Sequence, residues 1–168
     1  MSFSMYAASV PVFTQILNSL TAILDKAETH AADRKIDPNA LLQARLYPDM
    51  FPLTRQVQIA CDFAKGTVAR LGGQEVPKYD DTEVTFADLK ARIAKTLAFI
   101  ASVPRGELEE SAERQIVLTS GGTTREFKGQ VYLVHYALAH FYFHATTAYD
   151  ILRHNGVELG KKDFVGSY

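Results

Sequence analysis

The chain has 168 residues, with 18 Lys and Arg against 19 Asp and Glu and a formal charge of -1. This length fits a single domain over residues 1–168 that can bury a core without disulfides or a structural metal. The charges are balanced and form no long run of one sign, which excludes a protein that binds nucleic acid or an anionic membrane surface and favours small-molecule or protein partners.

The sequence carries few signals of compartment or of a familiar reaction. Cys61 is the single cysteine and cannot form an intramolecular disulfide, and the first residues lack the pattern of a secretory signal. We therefore expect a cytoplasmic protein. Phosphate-binding loops, dinucleotide glycine fingerprints, nucleophile elbows and paired-cysteine zinc motifs are absent from the sequence, so nucleotide-dependent chemistry and acyl transfer at such an elbow lack support.

The first third of the chain predicts three helices. Ser9 is expected to cap a helix that runs to about Ala31, since apolar residues recur there at helical spacing. Asp37, followed by a proline, predicts a short helix that ends at Leu46, before the next proline. Asp49 is then expected to open a second long helix. That helix ends at a glycine pair, and one of its faces carries Gln58, Cys61 and Asp62.

A third long helix and a hairpin follow. Thr85 and Asp88 form a capping-box pattern at the start of a helix that ends before Pro104. Residues 105–114 are charged and predicted to be a loop. The β-prone segments 115–119 and 124–127 flank a Ser-Gly-Gly turn, which predicts a small hairpin.

The last long helix is predicted over residues 129–153, and the residues expected on its core side are Val134, Leu138, Phe141, Ala145, Ala148 and Leu152. Its segment 129–149 contains no Lys, Arg, Asp or Glu and has the length of a membrane span. We reject that interpretation because its histidines, tyrosines, threonines and glutamine are too polar for hydrocarbon, although they suit a helix buried in protein. The predicted fold is therefore an all-α bundle of four long helices with a small β-hairpin before the last one.

His140 and His144 in this helix are the strongest candidates for chemistry. Residues four apart in a helix lie on one face with Cβ atoms about 5–6 Å apart, so both imidazoles can reach one metal ion or one ligand group. A third ligand must come from another helix, where the face with Gln58, Cys61 and Asp62 is the natural source. The alternative is that both histidines are buried polar residues with structural hydrogen bonds and that Cys61 is a core residue.

The segment between the short helix and the second long helix also contains several unusual residues. Arg45, Tyr47 and Asp49 are hypothesised to line a mouth over the histidines. The alternative is structural, with the prolines fixing the bend, Asp49 capping a helix and Arg45 binding carbonyl groups.

Two segments carry a resemblance to a known family. The strings RLYPDMFPLTRQVQIACDFAKG, from residue 45, and HFYFHATTAYDILRHNGVELGKKDF, from residue 140, resemble an uncharacterised branch of the DinB/YfiT-like superfamily, and the resemblance covers essentially the whole chain. It implies a four-helix bundle that is often dimeric, with a metal held by one histidine of the second helix and a His-x-x-x-His pair of the last long helix. Characterised relatives include thiol transferases and maleylpyruvate isomerase.

Transferred to this sequence, the pair of the superfamily corresponds to His140 and His144. The histidine of the second helix has no counterpart here. Gln58 is closest to its expected position, and Asp62 follows one turn later. A site completed by either residue would bind zinc more weakly than three histidines, or would favour a harder ion.

These observations leave two functions open. The first is a metal-dependent transferase or hydrolase, acting on a small-molecule or thiol substrate with zinc, nickel, iron or manganese at His140 and His144. The second is a non-catalytic homodimeric module that binds a small ligand or a protein in a pocket lined by Tyr136, Phe143 and the histidines.

Overall fold

The computed structural model describes residues 3–168. In chain order its elements are α1 (Val10–Arg34), α2 (Pro38–Leu42), α3 (Leu53–Leu71), α4 (Phe86–Ser102), α5 (Arg105–Glu109), β1 (Gln115–Ser120), β2 (Thr123–Lys128), α6 (Gly129–Val131), a π-helical segment (Tyr132–Ala137), α7 (Leu138–His154) and α8 (Lys161–Val165). Of these, α1, α3, α4 and α7 are long and form the bundle. The predicted all-α fold with a hairpin before the last long helix is confirmed.

The bundle is held by one apolar core to which all four long helices contribute. The Phe13 and Phe141 rings meet edge to face between α1 and α7, with centroids 4.8 Å apart. Helix α3 packs most extensively against α7, and another of its sides packs against α4. Residues on the two sides of α3 therefore face different helices, which decides which of them can reach the histidines.

The helix ends follow the predicted signals in part. Asp37 accepts a hydrogen bond from the Asn39 backbone at 2.9 Å, and Thr85 with Asp88 forms the predicted capping box. Ser9 occupies the predicted N-cap position of α1, but its hydroxyl donates to the Met5 carbonyl at 2.7 Å instead of accepting from a backbone N–H of the helix. Helix α1 also continues to Arg34, where Lys35 ends it in the left-handed conformation.

The connection between α2 and α3 also differs from the prediction. Helix α2 ends at Leu42 rather than at Leu46, and α3 begins after Pro52, so Asp49 lies in the loop and does not cap it. The Thr54 hydroxyl donates to the Leu42 carbonyl at 3.1 Å. This bond between the two helices fixes the end of α2, which local sequence signals could not reveal.

The hairpin forms where the glycine pair predicts it. Strands β1 and β2 are antiparallel, with Leu118 opposite Arg125, and Gly121 and Gly122 both have positive φ in the turn. The preceding segment was predicted to be a loop and instead contains the short helix α5.

The last long helix is interrupted by its π-helical segment. A π turn holds an extra residue, so it rotates the side chains before it relative to those after it. Val134 was predicted to lie in the core but is 38% exposed, whereas Leu133 and Ala137 are buried in its place. From Phe141 onward the predicted core positions are buried. Within residues 3–168, no helix combines the length and the apolarity needed to cross a membrane.

Candidate functional site

The two histidines of α7 lie against an aromatic residue of α3. The Phe63 ring is stacked on the His140 ring, with centroids 4.7 Å apart and an interplanar angle of 10°, and on the His144 ring at 6.0 Å and 17°. Tyr136 lies one turn before His140, with its ring centroid 4.4 Å from that of the imidazole. Both imidazoles thus share the side of α7 that faces α3.

Gln56 of α3 is the polar partner of this pair. Its Oε1 lies 2.7 Å from Nδ1 of His144, and its Nε2 donates to the Phe51 carbonyl at 3.1 Å. Because the amide nitrogen must donate to that carbonyl, the amide oxygen faces the imidazole and accepts from it. His144 therefore carries its proton on Nδ1. Its Nε2 has no hydrogen-bond partner among residues 3–168 and keeps a free lone pair.

The surroundings keep both imidazoles neutral. Burial lowers the pKa of His144 to about 4, with smaller contributions from His140 and from the positive charge of Arg55. Burial also lowers the pKa of His140, together with the charge of Arg125. At neutral pH the pair thus offers imidazole lone pairs rather than positive charge, which suits a hydrogen-bond donor or a metal ion.

The predicted third ligands have other partners. The Gln58 amide donates to Glu83 at 2.8 Å and accepts from Arg55 at 3.2 Å. Asp62 binds Arg92 at 2.9 Å and Lys65 at 2.8 Å. Both side chains take part in a charged network that ties the loop before α4 to α3 and α4.

Helix geometry explains why Gln56, rather than Gln58, meets the histidines. At 100° per residue, Gln58 lies roughly 200° around the helix from Gln56, whereas Phe63 lies within about 20° of it. The sequence analysis expected the face with Gln58, Cys61 and Asp62 to turn toward the histidines of α7. The face with Gln56 and Phe63 does so instead. Gln56 and Phe63 are seven residues apart and so share one face of the helix, which the sequence could have shown. The sequence does not show which face of α3 packs against α7.

Cys61 is completely buried in the core. Burial raises the pKa of its thiol to about 12, so the sulfur stays protonated and is a poor metal ligand. Its polar neighbours, Thr96 and Arg92, belong to α4. This environment matches the structural alternative for Cys61.

The residues proposed to form a mouth act mainly within their own loop. The Arg45 guanidinium donates to the Met50 carbonyl, which is the structural role considered for it above. Tyr47 is 66% exposed, and Asp49 is exposed as well. Within residues 3–168, none of these three residues forms a hydrogen bond, an ion pair or a ring contact with His140 or His144.

Phe143 lies on the outer surface of α7. It is 55% exposed, and its ring meets that of His144 edge to face at 5.2 Å. With Tyr142, Leu46 and Met50 it lines a shallow apolar groove. A second copy of the chain would bury such a surface, and the homodimer stays a prediction.

The donor set does not fit the three-histidine metal site that the resemblance implies. Within residues 3–168, no three His, Cys, Asp or Glu side chains are close enough together to hold one metal ion. The residue that faces His144 from α3 is an amide, and its oxygen already accepts a hydrogen bond from Nδ1 of the imidazole. The arrangement supplies two imidazoles and a neutral oxygen, a weak set for zinc.

A cleft of about 360 Å³ is lined by two of the rings that contact His140. It lies between α3, the hairpin and the π-helical segment, and Phe63 and Tyr136 are among its lining residues. Both rings also contact His140, whose pKa is lowered in part by the charge of Arg125 from the same cleft, and neither histidine is itself a lining residue. The Phe127 ring of β2 packs against Tyr136 at 5.2 Å and so joins the hairpin to this wall.

Comparison with known proteins agrees with the fold. Residues 5–165 match the family model described as domain of unknown function (DUF1993). A crystal structure of a DinB family member protein from Shewanella denitrificans is similar, with 45% sequence identity, a TM-score of 0.91 and coverage of 97% of this chain and 92% of that one. No curated protein matches the chain. The chain therefore belongs to the DUF1993 family, a DinB-like family of unknown activity.

Proposed function

We propose that this protein binds a small molecule at the histidine pair and the adjoining cleft. The observation that carries the proposal is the hydrogen bond between Gln56 and His144. It holds the imidazole in one tautomer with Nε2 unprotonated, and such a fixed acceptor beside aromatic walls is typical of small-ligand sites.

The surroundings of the pair support an aromatic or otherwise flat ligand. Phe63 and Tyr136 present rings along one side of the cleft, next to the face of His140. Rings in offset or edge-to-face contact contribute about 0.5–1.5 kcal/mol beyond the area they bury. A ligand that carries a hydroxyl or amide donor would add a bond to a neutral imidazole.

Benzyl alcohol is a suitable probe because it combines a ring with a hydroxyl donor. We expect it to bind the full chain with a dissociation constant of about 1–10 mM, which corresponds to about 3–4 kcal/mol for a ligand of this size. The measurement is the shift of the His140 and His144 side-chain NMR signals during titration. Phe63→Ala is expected to weaken binding about fivefold or more.

Phe164→Ala is the matched control, because Phe164 packs against Tyr149 and α1 on another part of the surface. This variant should bind benzyl alcohol with the same affinity as the original protein. Histidine signals that stay fixed at saturating probe, or equal losses in the two alanine variants, would contradict the proposed site.

A metal-dependent transferase or hydrolase is the second candidate. It is favoured by the same His144 tautomer, since metal-binding histidines commonly donate their other ring N–H to an oxygen acceptor. The similarity to a DinB family member supports it as well. Its weak point is the third donor, because Gln56 replaces a histidine or carboxylate.

Metal analysis separates the two candidates. Protein purified without a histidine tag should contain zinc, nickel, iron or manganese well below stoichiometric amounts if the pair binds small molecules directly. A stoichiometric metal that is lost in His140→Ala and retained in His135→Ala would instead establish the metal-dependent candidate. His135 is the control because it lies on the same helical run but is exposed and makes no recorded contact with the pair within the described residues.

A further inference from the structure

The cleft beside the histidine pair contains two guanidinium groups. Arg70 of α3 and Arg125 of β2 both line it. Neither forms an ion pair with a carboxylate among residues 3–168, and the bond that Arg70 makes is to the Tyr132 hydroxyl, at 3.3 Å. The eleven ion pairs of residues 3–168 involve nine of the nineteen acidic side chains, and none of these pairs includes Arg70 or Arg125.

The one acidic residue of the cleft does not neutralise these arginines. Asp62 lines the cleft as well, but the ion pairs that it forms are with Arg92 and Lys65, both through its Oδ1. The network to which it belongs is balanced, with three carboxylates of Asp62, Asp81 and Glu83 and three cations of Arg55, Lys65 and Arg92. Neither Arg70 nor Arg125 belongs to this network, so both line the cleft without an ion pair to a carboxylate among residues 3–168.

Apart from Thr119, the remaining walls are aromatic and apolar. The rings of Phe63, Tyr132 and Tyr136 line the cleft, and Val117 is 53% exposed at the hairpin side. Tyr132 and Tyr136 are stacked with centroids 5.9 Å apart. Paired guanidinium groups recognise carboxylates through charge-assisted hydrogen bonds, and the rings suit a flat apolar body.

We propose that the cleft binds a small aromatic carboxylate. The carboxylate group contacts Arg125 and Arg70, and the ring lies against Phe63 and Tyr136 with its far edge next to His140. A volume of about 360 Å³ is near the lower end for small-molecule sites, which restricts the ligand to about one ring with short substituents. The inference rests on the proposed function, since it names the ligand class for the same cleft.

The test compares three probes that separate charge from ring. Benzoate carries both, benzyl alcohol carries the ring without the charge, and acetate carries the charge without the ring. In NMR titrations of the full chain, we expect benzoate to bind about fivefold or more tightly than either of the other two. Its affinity should also fall with added salt, because Arg125 is exposed.

Arg125→Gln is the decisive variant. It should weaken benzoate about fivefold or more and change the affinity for benzyl alcohol less than about twofold. Arg153→Gln is the matched control, because Arg153 is an exposed arginine at the end of α7 with no recorded partner within the described chain. It should leave both affinities unchanged.

The outcomes distinguish the two levels of the proposal. If no probe shifts the signals of residues in the cleft, the proposed function fails and this inference fails with it. If benzyl alcohol binds as tightly as benzoate and Arg125→Gln has no selective effect, the binding site stands and the carboxylate inference is overturned. If acetate binds as tightly as benzoate, the inference that the ligand is aromatic is overturned.

Discussion

Replacing Arg92 by alanine is expected to lower the free energy of unfolding by about 3 kcal/mol, the lower range for breaking a buried charge pair. The side chain of Arg92 is 2% exposed, and it binds Asp62 at 2.9 Å, Asp81 at 3.1 Å and Glu83 at 3.0 Å. Removing the guanidinium leaves the Glu83 carboxylate, which is 11% exposed, without its cation. Asp62 and Asp81 are more exposed, so their share of the loss is smaller.

Lys90→Ala on the same helix is the control for this measurement. Lys90 also binds two carboxylates, Asp25 at 2.7 Å and Glu28 at 2.8 Å, but it does so near the surface. Its removal should cost less than about 1 kcal/mol. Urea denaturation followed by circular dichroism measures both variants. Equal losses in the two would refute the claim that burial makes the Arg92 network important.

The stability of the protein is expected to fall as the pH is lowered from about 6.5 to about 4, because of His144. Burial lowers the pKa of this imidazole to about 4 in the folded protein, whereas an unfolded histidine has a pKa of about 6.5. Between these values the unfolded chain binds a proton that the folded one does not, so acid favours unfolding. The difference corresponds to up to about 3 kcal/mol at pH 4 relative to pH 7.

His144→Asn isolates this effect from the titration of carboxylates. An asparagine amide can still donate to Gln56 Oε1 near the position of Nδ1, but it does not titrate. Unfolding free energies measured from pH 7 to pH 4 should therefore fall less steeply in the variant than in the original protein. Parallel curves for the two proteins would contradict the low pKa of His144. His140 titrates in both proteins.

A weakly basic imidazole has a functional consequence. At neutral pH a group with a pKa of about 4 is almost entirely unprotonated, yet it is a poor general base because it holds a proton weakly. His144 is therefore better suited to accept a hydrogen bond or to bind a metal than to remove a proton from a substrate. Both candidate functions use it in that way.

Local sequence patterns were sufficient for much of the architecture. The long helices follow from apolar residues at helical spacing, the start of α4 from the capping box at Thr85, and the hairpin turn from Gly121 and Gly122. Each of these signals depends on backbone preferences within a few residues. The pair His140 and His144 was found in the same way, since a helix brings residues four apart onto one face.

Tertiary packing decided the environment of that pair. The sequence predicts polar residues on α3. It does not show whether Gln58 and Asp62, or Gln56 on a neighbouring face, turn toward α7. Packing against two helices settles this rotation, because α3 buries one side on α7 and another on α4. The π turn before α7 was equally hidden, since it shifts Val134 outward without any local sequence signal.

The same reason explains why the cleft and the Arg92 network were not predicted. Arg70 and Arg125 are far apart in the chain, as are Asp62 and Arg92, and single-sequence periodicity contains no information on such distant pairs. Chain-local preferences thus determined the helices, the hairpin and the histidine pair. The partner of His144, the neutral state of its imidazole and the charge of the cleft arise only when distant segments pack together and exclude water.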